Sequence, residues 1–116
     1  PVRTVGFEYE QTNNSDIADA PEILNVNAKV LDDNKGIYEL YLDEGDYNYD
    51  TRSLPFFFWS AREGMFAGAS KDYRRVIFYA DPNTGDRKVK VVVGIGDGRG
   101  YVDKKSFLLN GNKEKK

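Results

Sequence analysis

Short runs of alternating apolar and polar residues, separated by clusters of Gly, Asn, Asp and Pro, are the dominant feature of this chain of 116 residues. The clearest run is Arg87–Ile95, where Val89, Val91, Val93 and Ile95 face one way along an extended chain. An alternation with a period of two residues is typical of a β-strand that buries one face. No segment has the period of a long helix. The pattern therefore predicts an all-β domain.

Turn residues divide the chain into seven to eight predicted strands with short connections. The strand-like segments are Val2–Glu10, Glu22–Leu31, Ile37–Asp43, Leu54–Ala61, Met65–Phe66, Arg74–Ala80, Arg87–Ile95 and Tyr101–Leu109. Within the third segment, Leu40 and Leu42 share the face that we expect to point into the core. This number of short strands is typical of an immunoglobulin-like antiparallel β-sandwich.

Length and turn chemistry predict one domain with two short flanking segments. A chain of 116 residues is long enough to bury a single core. Residues 1–20 are expected to form an added N-terminal strand followed by a polar linker that ends before Pro21. The sandwich itself is expected over residues 21–110, and residues 111–116 are expected to form a polar tail.

The residue types that the chain lacks exclude many functions. Without cysteine and histidine, it has no disulfides, no zinc site of thiolate or imidazole ligands, and no nucleophile activated by histidine. Its net charge of −2 lacks the basic excess of nucleic-acid-binding proteins. No run approaches the ~18 apolar residues of a membrane span. We therefore expect a domain that is not an enzyme, binds no nucleic acid and does not insert into a membrane.

An acidic loop carries the one pattern that suggests a metal ion. Asp46, Asn48 and Asp50 place oxygen atoms at every second position, so that one loop can wrap a hard cation such as calcium. Asp43 and Asp97 would complete the ligand set if their loops converge at one end of the sandwich. The alternative is a solvated acidic loop without a cation. Calcium is thus the candidate cofactor, and these five residues are its candidate ligands.

Consecutive aromatic residues mark the fourth predicted strand. Trp59 occupies the position of the buried tryptophan in immunoglobulin-like folds, and Phe57 shares its face. Strand alternation then turns Phe56 and Phe58 to the opposite face, where exposed aromatic rings are unfavourable. Either the segment Val2–Glu10 covers them as an added strand, or they form a docking surface. We expect the covering strand.

Several short marks in the sequence occur in the order found in one known family. These are Ala20-Pro21-Glu22-Ile23, the acidic turn Asp43–Asp50, Phe57-Phe58-Trp59-Ser60-Ala61, Gly64-Met65-Phe66, Phe78-Tyr79-Ala80-Asp81-Pro82 and the run from Val91 to Gly100. Over residues of about 20–110 the chain resembles the PKD-type (polycystic kidney disease repeat) immunoglobulin-like domains of bacteria and archaea. Val89 departs from the family pattern, which often has an aromatic residue there. The resemblance implies an extracellular spacer, an adhesion module or an accessory module of a secreted enzyme.

These observations predict a non-catalytic structural or interaction module of a larger extracellular or cell-surface protein. Its candidate partners are neighbouring domains of the same protein, an extracellular protein or a glycan. One alternative is calcium-dependent recognition of carbohydrate or protein, with Tyr47 and Tyr49 as stacking platforms. Another is an accessory domain of a secreted hydrolase. The candidate interaction surface therefore consists of Phe56, Phe58, Tyr47 and Tyr49.

Overall fold

The computed structural model describes residues 2–12, 20–50 and 52–114 and consists of β-strands joined by turns. The strands are β1 (Val2–Thr4), β2 (Phe7–Thr12), β3 (Glu22–Ile23), β4 (Asn27–Asp32), β5 (Ile37–Tyr41), β6 (Tyr47–Asn48), β7 (Phe56–Ala61), β8 (Gly64–Ala69), β9 (Arg75–Ala80), β10 (Lys88–Gly96) and β11 (Val102–Asn110). Within these ranges, no helix has the length and the apolar character needed to cross a membrane.

The strands form two packed antiparallel sheets and one small pair. The five-stranded sheet has the order β1-β4-β5-β9-β8, the four-stranded sheet has the order β2-β11-β10-β7, and β3 pairs with β6. Without β1 and β2, the order is that of the A-B-E-D and C-F-G sheets of an immunoglobulin-like sandwich. The prediction of an all-β antiparallel sandwich is therefore confirmed.

Alternate residues of the central strands fill the core between the two sheets. Leu40 of β5, Phe78 of β9 and Phe107 of β11 are fully buried. The four alternate apolar residues of β10 are fully buried as well, namely Val89, Val91, Val93 and Ile95. Tyr38 is also buried, and its hydroxyl accepts a hydrogen bond from the backbone N–H of Asn110 at 3.1 Å. The inward faces predicted for β5 and β10 are thus confirmed.

The N-terminal segment passes from one sheet to the other. β1 pairs with β4, and β2 pairs with β11. Between them Val5 is buried, and its N–H donates to the carbonyl of Val26 at 3.2 Å. β2 therefore lies at the opposite edge of its sheet from β7, and the expectation that this segment covers Phe56 and Phe58 is wrong. Of the predicted linker, residues 13–19 lie outside the described residues.

The C-terminal residues are held at one end of the sandwich. Asn112 donates its backbone N–H to the Thr84 hydroxyl at 2.7 Å and accepts a bond from the N–H of Gly85 at 2.8 Å. Lys113 donates its N–H to the carbonyl of Asn34 at 2.8 Å. The described part of the predicted polar tail, residues 111–114, is thus hydrogen-bonded to the turns at this end.

Candidate functional site

Three connections meet at the other end of the sandwich, which we name the loop end. They are residues 42–55 between β5 and β7, 70–74 between β8 and β9, and 97–101 between β10 and β11. The first and second are joined by a bond from the Leu42 N–H to the Arg74 carbonyl, at 3.0 Å. The first and third approach each other where Arg99 Nη1 lies 3.9 Å from Asp50 Oδ2.

The carboxylate of Asp46 accepts hydrogen bonds that fix the conformation of the first of these loops. Its Oδ1 accepts a hydrogen bond from the Asn25 amide at 3.1 Å, and its Oδ2 accepts one from the Asn27 amide at 2.9 Å. The backbone N–H of Asp43 also donates to Oδ2, at 2.8 Å. Both oxygen atoms of this predicted calcium ligand therefore already accept hydrogen bonds that fix the loop.

Asp50 is held by an arginine two residues later. Its Oδ1 accepts bonds from the N–H and the Nε of Arg52 at 2.9 and 3.0 Å, and its Oδ2 accepts one from Nη2 at 2.8 Å. The hydrogen bonds from Arg52 lower the pKa of Asp50 from 3.8 to about 2. We call this arrangement, in which an aspartate binds both the backbone and the guanidinium of the arginine at i+2, a clamp.

The same clamp recurs in the two other loops. Asp97 accepts bonds from the N–H and the Nε of Arg99, both at 2.8 Å. Burial alone would raise the pKa of Asp97, but these bonds outweigh it and the pKa is lowered. In the turn of residues 70–74, Asp72 accepts bonds from the N–H and the Nε of Arg74 at 3.1 and 3.0 Å. The sequence signal is Asp-x-Arg, once in each loop, which sequence reasoning missed.

The predicted calcium ligands are only partly brought together. Asp50 and Asp97 converge as their loops were expected to, but the guanidinium of Arg99 lies between them. Asp43 and Asn48 are exposed. The described residues include no group of three acidic side chains placed to hold a metal ion. In this arrangement two arginines provide the positive charge at Asp50 and Asp97, and calcium binding stays a prediction.

Tyrosine rings surround the clamps. Tyr47 and Tyr49 stack with their ring centroids 5.7 Å apart, and Tyr47 also packs edge-on against Phe57 at 5.0 Å. Arg74 Nη1 donates to the Tyr47 hydroxyl at 3.0 Å. Tyr49 is 36% exposed, so the stack presents one ring to solvent and rests with the other on the core. Both tyrosines thus lie at the loop end, and their role as stacking platforms for a ligand stays a prediction.

Tyr73, which lies between Asp72 and Arg74 of the clamp in residues 70–74, has a strained backbone. Its φ is 61°, in the left-handed region that is unfavourable for residues other than glycine. Its carbonyl accepts a hydrogen bond from Trp59 Nε1 at 2.7 Å, while more than half of the side chain is exposed. The loop end thus holds an exposed aromatic side chain in a conformation that its surroundings must enforce.

Phe56 and Phe58 lie elsewhere, on the outer face of the four-stranded sheet. Their rings, with centroids 6.2 Å apart, cover Gly96 and Gly94 of the neighbouring strand. A Cβ atom on either glycine would come within 2.3 Å of the covering ring. Phe56 remains 49% exposed. The four residues predicted as one interaction surface therefore divide between the loop end and this sheet face.

The first clamp is expected to control the titration of Asp50. Because its folded-state pKa is lowered, its contribution to stability is complete above about pH 4 and is lost as the pH falls through about 2. Arg52→Ala should raise the pKa of Asp50 toward 3.8, whereas Lys71→Ala should leave it unchanged. NMR titration of the Asp50 side-chain carboxyl carbon measures both effects. A pKa near 3.8 in the parent protein would contradict the clamp.

The immunoglobulin-like assignment rests on the strand order and on the position of Trp59 in β7. The half-buried Trp59 packs against the core from the edge of its sheet, so the core position predicted for it is only partly realised. Comparison of the chain with known protein families, with curated proteins and with solved structures finds no match.

Proposed function

We propose that this domain is a non-catalytic interaction module of a larger extracellular or cell-surface protein and binds its partner through the loop end. The observation that carries the proposal is the combination of three clamped loops with partly exposed tyrosine rings. Tyrosine offers a large amphipathic contact surface with few rotatable bonds, which is why binding loops on immunoglobulin-like scaffolds are rich in it. The candidate partners are an extracellular protein, a glycan or a neighbouring domain of the same protein.

The clamps support this proposal because they order the loops before a partner arrives. Each of Asp50, Asp72 and Asp97 fixes both the backbone and the side chain of an arginine in its own loop. Loops that are already ordered lose less conformational entropy on binding, which favours affinity. The exposed rings of Tyr49 and Tyr73 therefore lie on loops that hydrogen bonds already order in the free protein.

We further propose the PKD-type family as the family of this domain, on the marks quoted above.

Calcium-dependent binding is the second candidate, favoured by the convergence of Asp50 and Asp97. A calcium ion at these carboxylates would compete with Arg99 for the same oxygen atoms. Because the clamps already compensate the two charges, we expect partner binding to be the same with chelator and with millimolar calcium. An affinity that rises with calcium would support calcium-dependent binding and would contradict binding by loops that the arginine clamps alone hold in place.

Binding to a glycan array and to a panel of extracellular proteins tests the proposed function. For any ligand found, Tyr49→Ala should weaken binding by at least about tenfold, the effect typical of a central aromatic contact. Tyr79→Ala, which removes an exposed tyrosine from the outer face of the five-stranded sheet, should leave the affinity unchanged. Binding that is lost with Tyr79→Ala and kept with Tyr49→Ala would overturn the assignment of the loop end.

A further inference from the structure

The edge strands on the two sides of the sandwich differ in charge. On one side, the edge strands β1 and β2 contain Arg3, Glu8 and Glu10. On the other side, β7 and β8 read Phe-Phe-Phe-Trp-Ser-Ala and Gly-Met-Phe-Ala-Gly-Ala, without a charged residue or a proline. Charges, prolines and bulges are the usual means by which proteins prevent an edge strand from pairing with another chain. The side formed by β7 and β8 therefore lacks charge protection.

Of these two strands, β7 is the better template for pairing. β8 contains a register shift between Ala67 and Ala69, where Gly68 has a φ of 77°, and such a bulge blunts an edge. β7 pairs with β10 in unbroken register from Phe56 to Ala61. Its other side has no neighbouring strand among the described elements of the sheet. The backbone of β7 thus presents a regular edge.

Apolar surface continues from this edge on both of its sides. On the outer face lie the partly exposed rings of Phe56 and Phe58. On the inner side, a groove of about 390 Å³ opens between β7 and β8, with Trp59 and Phe66 in its lining. A strand added at β7 would remove apolar surface from water on its outer face as well as satisfy backbone groups.

We propose that two copies of this chain associate through antiparallel pairing of their β7 strands, which joins the four-stranded sheets into one continuous sheet. The occupant is a second copy because β7 is uncharged. In an isologous pair each strand meets itself, so charges of one sign would repel across the two-fold axis, and β7 has none to repel. The phenylalanine rings of both copies then form one row across the joint. This association goes beyond the proposed function, because the two loop ends point in opposite directions and stay accessible.

Sedimentation equilibrium over a range of protein concentrations tests the association. The parent chain should show a reversible dimer. Ser60→Lys places a charge at an exposed position of β7 and should weaken the dimer by at least about tenfold, since a charged side chain then lies among the phenylalanine rings of the joint. Leu31→Lys, at an exposed position of the other sheet, should have no effect. A chain that is monomeric up to millimolar concentration would overturn the proposal.

Hydrogen exchange identifies the surface if a dimer forms. Backbone amides of β7 should exchange more slowly in concentrated than in dilute samples, because intermolecular bonds then protect them. Slower exchange confined to another strand, or a dimer that Ser60→Lys does not weaken, would contradict pairing through β7. Thermal melts of both lysine variants confirm that they are folded. A binding defect at the loop end would leave this result unchanged, so the two proposals can fail separately.

Discussion

Replacing Phe78 with alanine is expected to lower the free energy of unfolding by about 3–5 kcal/mol, the range measured when buried phenylalanines are truncated. Phe78 has no exposed surface and lies on β9, between β5 and β8, with the ring centroid of Phe66 at 5.3 Å from its own. Its removal leaves a cavity that two packed sheets cannot close, because each strand is fixed by its neighbours. Denaturant unfolding, monitored by the fluorescence of Trp59, measures the change.

The adjacent residue is the matched control for this prediction. Tyr79 follows Phe78 on the same strand and points to the outer face of the sheet, where it is 38% exposed. Tyr79→Ala should lower stability by about 1 kcal/mol or less, the size of a cross-strand contact on a solvated face. Equal losses for the two variants would mean that the alternation of β9 does not separate core from surface as described.

Asp103→Ala is expected to lower the free energy of unfolding by about 3–5 kcal/mol, as when one partner of a buried ion pair is removed. Asp103 is 2% exposed and lies on the inward face of β11. Its Oδ2 accepts a hydrogen bond from the N–H of Ile23 at 2.7 Å and lies 3.7 Å from the ammonium of the buried Lys105. Alanine removes a charge partner of Lys105 and the acceptor of a buried N–H, and both losses are unfavourable.

Thermal and denaturant unfolding of Asp103→Ala and Asp86→Ala give this comparison. Asp86 is an exposed residue of the turn between β9 and β10, so its replacement should change stability by no more than about 0.5 kcal/mol. A loss for Asp103→Ala as small as that for Asp86→Ala would show that Asp103 is hydrated in solution and does not anchor β3 to β11.

The fold follows from the sequence where the alternation of residues is unambiguous. In β10 every second residue is apolar, and the structure buries that face. In β11 the inward face contains Asp103 and Lys105 beside Phe107 and Leu109, so polarity alone does not show which side is buried. Its polar members are compatible with the core because they bond to each other and to the backbone of β3, which is distant in sequence.

The path of the N-terminal segment could not be predicted from the alternation of its residues either. The sequence of Val2–Glu10 fits an edge strand of either sheet, and a period of two residues contains no information about which edge is paired. The chain uses both sheets, with a break around Val5 and Gly6. Closing one side of the sandwich in this way leaves the β7 side open, which is the basis of the proposed association.

The approach of Asp50 and Asp97 was expected from the sequence, but the arginine side chains that bind them were not. Alternate oxygen-bearing residues at Asp46, Asn48 and Asp50 are compatible with a cation, and the same pattern also suits a loop that bonds to its own chain. The amides that bind Asp46 come from Asn25 and Asn27, about twenty residues earlier, so no local pattern reveals them. The arginine clamps are local, and the Asp-x-Arg spacing would have indicated them.

Partner binding through the loop end is the main function proposed for this domain. Its most direct test is a titration of the isotopically labelled protein, by NMR, with the tightest ligand from the array or panel. We expect chemical-shift changes to concentrate in residues 46–50, 72–74 and 97–101, with the same pattern in calcium and in chelator. Changes concentrated in the turns around Asn34 and Thr84, or on the outer face of the five-stranded sheet, would contradict it.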